Sequence, residues 1–347
     1  MSAPRVLVNG LRFAQPMSGV RRHAVEVYSR AARLLREDGG ELVLLAPHGG
    51  LGYALPEVTL RQAPRSATGA LRPWREARVL REATDELGPF ALVHGGHLPL
   101  TPNRGTVRVH LQHDARRAGS AVGRSWMRAA LREADSVVTV SRSTADELVR
   151  LGSPRRLAVV PNGGDHLPVH DPERSGRPFV LVPGHLEPRK DPLTAIRALA
   201  VDPHLPRLVF AGFEKGGMIF RMQREAARLG VLDRVRYAGP VPDDELAGLY
   251  ARCSAVLLPS RLEGFGIPIL EAVRAGAPLA VSAIPAHAEV APPGTPRFDA
   301  GDPVDCARAL AEALRQERAP AAVGSWDATA EALVEVWSSA CCSFQAP

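Results

Sequence analysis

Short apolar runs return along this chain, each followed by a stretch of helical period. The alternation is interrupted once, by the polar, proline-rich segment DHLPVHDPERSGRP (165–178), and then starts again. Before the break the runs are RVLVNG (5–10), ELVLLAP (41–47), FALVHGG (90–96), TVRVHLQHD (106–114), SVVTVS (136–141) and RLAVVPNGG (156–164). After it they are FVLVPG (179–184), RLVFAG (207–212), RVRYAG (234–239), AVLLPS (255–260) and PLAVSA (278–283). Such runs read as strands buried on both faces. Between them, the spacing predicts a helix over 19–37 with Val20, Ala24, Val27, Ala31 and Leu34 inward, one over 71–87, and one capped by Ser141 or Ser143. Further helices are expected over 191–200, 215–230, 243–252, 267–276 and within 302–340. Strands alternating with helices imply parallel sheets covered on both sides. The expected architecture is α/β, with two doubly wound, Rossmann-like domains facing a cleft. They span 1–167 and 179–325, joined by a linker at 168–178, and a C-terminal helix (326–347) packs back on the first.

Composition narrows the functional classes. The 347 residues suffice for two domains, and no stretch reaches the 18 apolar residues of a membrane span. MSAPRVLVNG reads as a first strand rather than a signal peptide, so a cytoplasmic location is the default. Cys253, Cys306, Cys341 and Cys342 fit neither a zinc spacing nor a disulfide framework. The net charge is +6, and of 43 basic residues only Lys190 and Lys215 are lysines. No zinc-finger or RNA-binding signature accompanies that charge, which argues against nucleic acid. The densest basic run is Arg61, Arg65, Arg72, Arg75, Arg78 and Arg81, with Trp74 among them. It reads as a solvated helix face or as a peripheral membrane contact.

The stretch RLEGFGIPILEAVRAG (261–276) carries the most chemistry. It joins a strand to a helix, with Pro268 suited to the first helical turn. Gly264 and Gly266 let a ligand approach the backbone. The helix N-terminus offers free N–H groups and partial positive charge to an anion, phosphate first of all. Glu263 and Glu271 flank it, and carboxylates accept strong hydrogen bonds from sugar hydroxyls. Two polyols around a phosphate describe a nucleotide sugar.

Here the chain resembles the family-4 retaining glycosyltransferases of the GT-B fold. The Glu-x7-Glu pattern in PSRLEGFGIPILEAVRAGAPLAVS carries the likeness. NGLRFAQPMSGVRRHA, HLQHDARR, VTVSRSTADEL, VVPNGGD, VPGHLEPRKDP and RVRYAGPVPDDELAGLYARCSAVLLPS follow family stretches in order. The resemblance implies that Glu263 binds donor-sugar hydroxyls and Glu271 the ribose. The amides of Gly264, Phe265 and Gly266 would lie near the sugar and the diphosphate, and Gly19 would approach the diphosphate from the other domain. Arg189 and Lys190 would stabilise the departing phosphate, and His113 would face the anomeric carbon. Many relatives carry Arg or a small residue where this chain has His185, so that position departs from the pattern.

The implied reaction moves a hexosyl group from a nucleoside-diphosphate sugar to a hydroxyl of a saccharide, lipid-linked or natural-product acceptor, with retention. GDP-mannose is favoured by the look of LEPRKDP and EGFGIPILEA; UDP- and dTDP-sugars stay open. No Asp-x-Asp triplet occurs, so no metal or cofactor is expected. No nucleophilic carboxylate presents itself, which favours front-face attack. The alternatives are a nucleotide-sugar epimerase of the same fold and a non-catalytic nucleotide-binding protein. A glycoside hydrolase fits poorly, because both glutamates lie on one loop–helix unit. VNGLRFAQPMSG does not fit the dinucleotide fingerprint of an oxidoreductase.

Overall fold

The computed structural model describes residues 4–13, 18–64, 72–96, 105–171 and 177–344. Arg65, residues 14–17 of the stretch NGLRFAQPMSGVRRHA and part of the expected linker (172–176) lie outside the described residues. The chain divides into two compact units. One comprises the residues up to Asn162 together with those from Trp326 on; the other runs from Gly163 to Ser325.

The first unit is built from β1 (Arg5–Asn9), α1 (Gly19–Glu37), β2 (Glu41–Ala46), β3 (Thr59–Gln62), α2 (Arg72–Leu87), β4 (Leu92–Gly95), β5 (Val107–Gln112), α3 (Ala121–Glu133), β6 (Ser136–Thr139), α4 (Arg142–Leu151) and β7 (Leu157–Val159). Its strands pair in parallel in the order β3-β2-β1-β4-β5-β6-β7. The central strands are mostly apolar because helices cover both faces, with the buried His94 of β4 and His110 of β5 as polar exceptions. Val6, Leu7 and Val8 of β1 are fully buried, and each such side chain contributes about 2 kcal/mol of hydrophobic free energy. In α1 the inward stripe is Ala24, Val27, Tyr28, Ala31 and Leu35. Leu35 rather than Leu34 completes it, since a 100° step carries position 34 to the flank of a stripe set by Ala24 and Ala31. Val20, expected inward, is 38% exposed at the first turn. Ser18 caps α1 by accepting from Arg21 N, and Ser141 caps α4 by accepting from Thr144 N. The buried Glu76 of α2 is neutralised by a two-pronged contact from Arg12 at 2.8 and 2.6 Å, which ties the loop after β1 to that helix.

The second unit contains β8 (Phe179–Pro183), α5 (Pro192–Val201), β9 (Arg207–Ala211), α6 (Met218–Arg228), β10 (Val235–Gly239), α7 (Asp243–Arg252), β11 (Ala255–Leu258), α8 (Ile267–Arg274), β12 (Leu279–Ser282), α9 (Pro285–Val290), β13 (Arg297–Phe298) and α10 (Pro303–Ala313). Its parallel order is β10-β9-β8-β11-β12-β13. The order reverses between β8 and β11, where strands of the two halves lie side by side and their following loops diverge. In open α/β sheets this is where ligands bind. Arg318 closes the far side. Its guanidinium donates to the carbonyls of Tyr250, Cys253 and Ala275 at 2.8, 2.8 and 3.0 Å, satisfying acceptors that the ends of α7 and α8 leave open.

The last helix, α11 (Trp326–Phe344), belongs to the first unit and packs on α1, burying Trp326, Leu333 and Trp337. Among the described residues, no helix is long and apolar enough to cross a membrane.

Candidate active site

The residues with the strongest chemical signal meet at the β8/β11 reversal. The chain leaves β8 through Gly184 and makes a 3-10 turn at Pro188–Lys190. It then enters α5 through Asp191, which adopts a left-handed conformation (φ 45°) and caps the helix by accepting from Thr194. The chain leaves β11 through Ser260 and reaches α8 through Gly266, whose φ of 104° excludes most side chains. Arg261 N donates to the Arg189 carbonyl at 2.7 Å, and the Arg261 side chain pairs with Asp191 at 2.7 Å. These two bonds clamp one strand-end loop against the other.

That clamp places Glu263 between the expected cations. Arg189 Nη1 donates to Oε2 at 2.9 Å, while Lys190 Nζ and Ser260 Oγ (2.7 Å) converge on Oε1. The side chain is 8% exposed. Burial alone would raise the carboxyl pKa, but the charges of Lys190 and Arg189 outweigh it and bring it from 4.5 to about 2. The network extends further. Arg189 also pairs with Glu187 at 2.8 Å, and Lys215, from the loop after β9, stands 3.9 Å from Glu187. Both lysines of the chain therefore join one cluster, in which Arg189, Lys190, Lys215 and Arg261 outnumber the carboxylates of Glu187, Asp191 and Glu263. The surplus is positive at the opening of α8, which favours an anion. Phe265 is buried beneath the turn. His287 packs close by: a Cβ built on Gly266 would lie 3.5 Å from its ring. Burial lowers its pKa to about 4. His185 meets Phe213 edge-on at 5.9 Å.

Glu271 has a different setting. It lies in α8, 9% exposed, and accepts from Tyr250 Oη at 2.5 Å and from His166 Nε2 at 3.0 Å. The structure thus brings Arg189, Lys190 and Glu263 into one cluster and gives Glu271 separate partners.

In the first unit, His113 follows β5, its ring edge-on to that of His23 at 4.9 Å. Desolvation, reinforced by His23, His94 and His110, holds its pKa well below 6.5. His23 lies on the first turns of α1, bonds Asn162 through Nδ1 at 2.8 Å, and burial lowers its pKa to about 4. His94 accepts from Trp337 Nε1 at 3.1 Å, and burial brings it to about 3. Gly19 is the first residue of α1 and is exposed.

Several contributors were not legible in the sequence. Glu187 and Ser260 are near-neighbours of expected site residues, and their place at strand ends was the available signal. Tyr250 falls within the helix expected over 243–252 and His166 within the polar break at 165–178, and no periodicity separates a core tyrosine from one bonded to a carboxylate.

The sequence profile of the glycosyl transferases group 1 matches residues 168–325, and that of glycosyltransferase family 4 matches 17–166. The chain is 31% identical over 303 residues to a D-inositol 3-phosphate glycosyltransferase of Acidothermus cellulolyticus. That match covers 77% of this chain and 66% of the relative. The chain spans 55% of the relative of the same name from Streptomyces scabiei. Among solved structures, sucrose-phosphate synthase from Thermosynechococcus elongatus matches with a TM-score of 0.75 at 16% identity, covering 98% of this chain and 99% of that one. Anabaena HepE in complex with UDP-glucose matches with a TM-score of 0.72 at 16% identity, covering 98% of each chain. At such identities the structures speak for the fold alone. With two parallel doubly wound sheets, a Glu-x7-Glu turn opening α8 and a family profile over each half, the chain belongs to the family-4 glycosyltransferases of the GT-B fold.

Proposed function

We propose that the chain transfers a hexosyl group from a nucleoside-diphosphate sugar to a hydroxyl acceptor, with retention and without a metal ion. The observation that carries this reading is the grip of Lys190 and Arg189 on Glu263 at the turn into α8. A diphosphate seated there meets two fixed cations and a helix N-terminus. Both stabilise the charge that grows on the leaving oxygen as the anomeric C–O bond breaks. Glu263, ionised at neutral pH, accepts from sugar hydroxyls and orients the ring. The acceptor hydroxyl attacks from the face the diphosphate leaves, and its proton passes to the departing phosphate oxygen. His113, neutral at pH 7, donates to a sugar hydroxyl without adding charge. Glu271 takes the ribose hydroxyls, and the 238–246 segment meets the base. Among donors we favour GDP-mannose. For the acceptor, the name of the D-inositol 3-phosphate glycosyltransferases points to a phosphorylated polyol, which suits the exposed Arg75, Arg78 and Arg81 of α2.

A thermal-shift panel of UDP, GDP, dTDP and their sugars tests the donor, since a ligand at 100 times its Kd adds about 2.7 kcal/mol to stability. One nucleotide series should stand out, equally with and without a chelator. Glu263→Ala and Lys190→Ala should each lower transfer at least roughly 100-fold, the scale of one preorganised contact. Near-normal turnover in either variant would contradict the assignment, and donor consumption without acceptor would point to an epimerase.

A further inference from the structure

Glu271 is the carboxylate assigned to the ribose, yet it is 9% exposed and sits among apolar side chains of the second unit's core. A carboxylate there needs donors, and two of its neighbours supply them. Tyr250, on the facing helix α7 and 1% exposed, sends its hydroxyl to Oε2 at 2.5 Å. His166, its side chain 1% exposed, meets Oε1 at 3.0 Å. The two donors approach different oxygens, so the plane of the carboxylate is fixed as well as its position.

Both donors are themselves held. Arg318 donates to the Tyr250 carbonyl at 2.8 Å and to the end of α8 at Ala275, so α7 and α8 are pinned at a common point. Arg274 bonds the Leu167 carbonyl, and Gly164 N donates to the Gly324 carbonyl at 2.9 Å, which seats the segment bearing His166. Burial and the charge of Glu271 push the Tyr250 hydroxyl well above 10, so it stays a donor.

We infer that Tyr250 and His166 are positioning residues for the donor nucleotide: they set the rotamer of Glu271 so that it meets a vicinal diol. This rests on the ribose-binding reading of Glu271 given above. Neither residue touches the reacting atoms. Loss of either should therefore weaken nucleotide binding and leave the chemical step nearly intact. A flexible Glu271 must be ordered at the moment of binding, and that cost falls on affinity.

The test pairs protein variants with ligand variants. The probe is whichever of UDP and GDP the full chain binds more tightly, titrated calorimetrically beside its 2′,3′-dideoxy analogue. The wild-type chain should prefer the ribonucleotide by about tenfold or more, the scale of a charge-assisted hydrogen bond. Tyr250→Phe removes one hydroxyl and leaves the ring. It should cut that preference to about two- to threefold, weaken the ribonucleotide alone, raise the donor KM and leave kcat within about twofold. His166→Gln retains a donor and should keep most of the preference, whereas His166→Ala should lose it. A structural role would weaken both ligands equally and leave the preference unchanged, which overturns the inference. Should Tyr250→Phe fail to fold, the His166 pair decides on the same criterion. A wild-type chain indifferent to the 2′ and 3′ hydroxyls would overturn the ribose reading itself, an outcome distinct from an unchanged preference in the variants.

Discussion

In the first unit, His23 lies ring to ring with His113, Tyr28 and Trp326, and His94 with Tyr28 and Trp337; every titratable ring of that group is neutral at pH 7. In the second, the reversal of the sheet carries Arg189, Lys190, Lys215 and Arg261 facing Glu187, Asp191 and Glu263, with Glu263 held ionised by Lys190 and Arg189. Both are parallel sheets of one construction. They differ in how each keeps polar groups out of water. Neutral imidazoles pack as flat aromatic bodies, and His23 and His94 reach Asn162 and Trp337 through Nδ1, whereas buried ions need partners of opposite sign. The first arrangement fills a core without charge, and the second leaves a cationic surplus beside the turn into α8.

The largest test of this contrast is Lys190→Met. It leaves Glu263 buried with one cation fewer, and breaking a buried pair costs about 3–5 kcal/mol. Hydrogen exchange read peptide by peptide should show β8 and β11 opening roughly a hundredfold or more often, with β1 and β4 unchanged. Equal loss in both sheets would mean that the two units do not hold their polar groups independently.

Acid separates the units next. A histidine whose folded pKa is lowered binds its proton more readily unfolded. The stability it contributes is complete above 6.5 and is lost as pH falls towards its folded value, about 4 for His23 and about 3 for His94. At pH 5 each such ring has given up about 2 kcal/mol. Among the described residues of the second unit, His287 is a comparable ring, and Glu263 acts lower, from 4.5 down to about 2. All four tryptophans (Trp74, Trp126, Trp326 and Trp337) belong to the first unit, so their fluorescence reports that unit alone. The urea midpoint followed by fluorescence should fall steeply between pH 7 and 5, and a flat profile would show that these imidazoles are hydrated.

The strands of both sheets were readable wherever burial on two faces forced an apolar run, as in RVLVN, FVLVP and AVLL. Two strands were not. β3 (TLRQ) is an edge strand with three exposed residues, so it carries no apolar run, and β13 is two residues long. Helix α3 was passed over because only Met127, Ala130 and Leu131 of its thirteen residues are buried. The site was legible in its types but less so in its pairings. Lys190 and Glu263 are 73 residues apart, and only the topology that sets β8 beside β11 makes them neighbours. The Tyr250–Glu271 contact spans α7 and α8 and needed the packing of both.

A smaller effect compares one glycine from each unit. Gly266 has a φ of 104° and a Cβ there would sit 3.1 Å from Ile269, so Gly266→Ala should cost about 1–2 kcal/mol in the thermal unfolding of the second unit. Gly19 opens α1 without a positive φ, and Gly19→Ala should leave stability unchanged or slightly raised while increasing the donor KM. If Gly19→Ala leaves the KM alone, the expectation from the resemblance that Gly19 serves the diphosphate is ruled out.

The smallest effect on stability belongs to α2. Trp74 is 71% exposed there, and Arg75, Arg78 and Arg81 line the same exposed surface. Arg78 pairs with Glu82 at 2.9 Å across one turn, a contact worth about 0.5 kcal/mol or less in water. Replacing Arg75, Arg78 and Arg81 together by Ser should therefore shift the melting temperature little. An exposed indole beside three guanidiniums has the chemistry that an anionic lipid surface attracts, at about 1 kcal/mol for each basic residue engaged. Co-sedimentation with vesicles containing phosphatidylglycerol should drop roughly a hundredfold in the triple variant, with neutral vesicles bound weakly by both proteins. Equal binding of the wild type to charged and neutral vesicles would leave α2 a solvated face, and the basic character of the first unit would then bear on the acceptor alone.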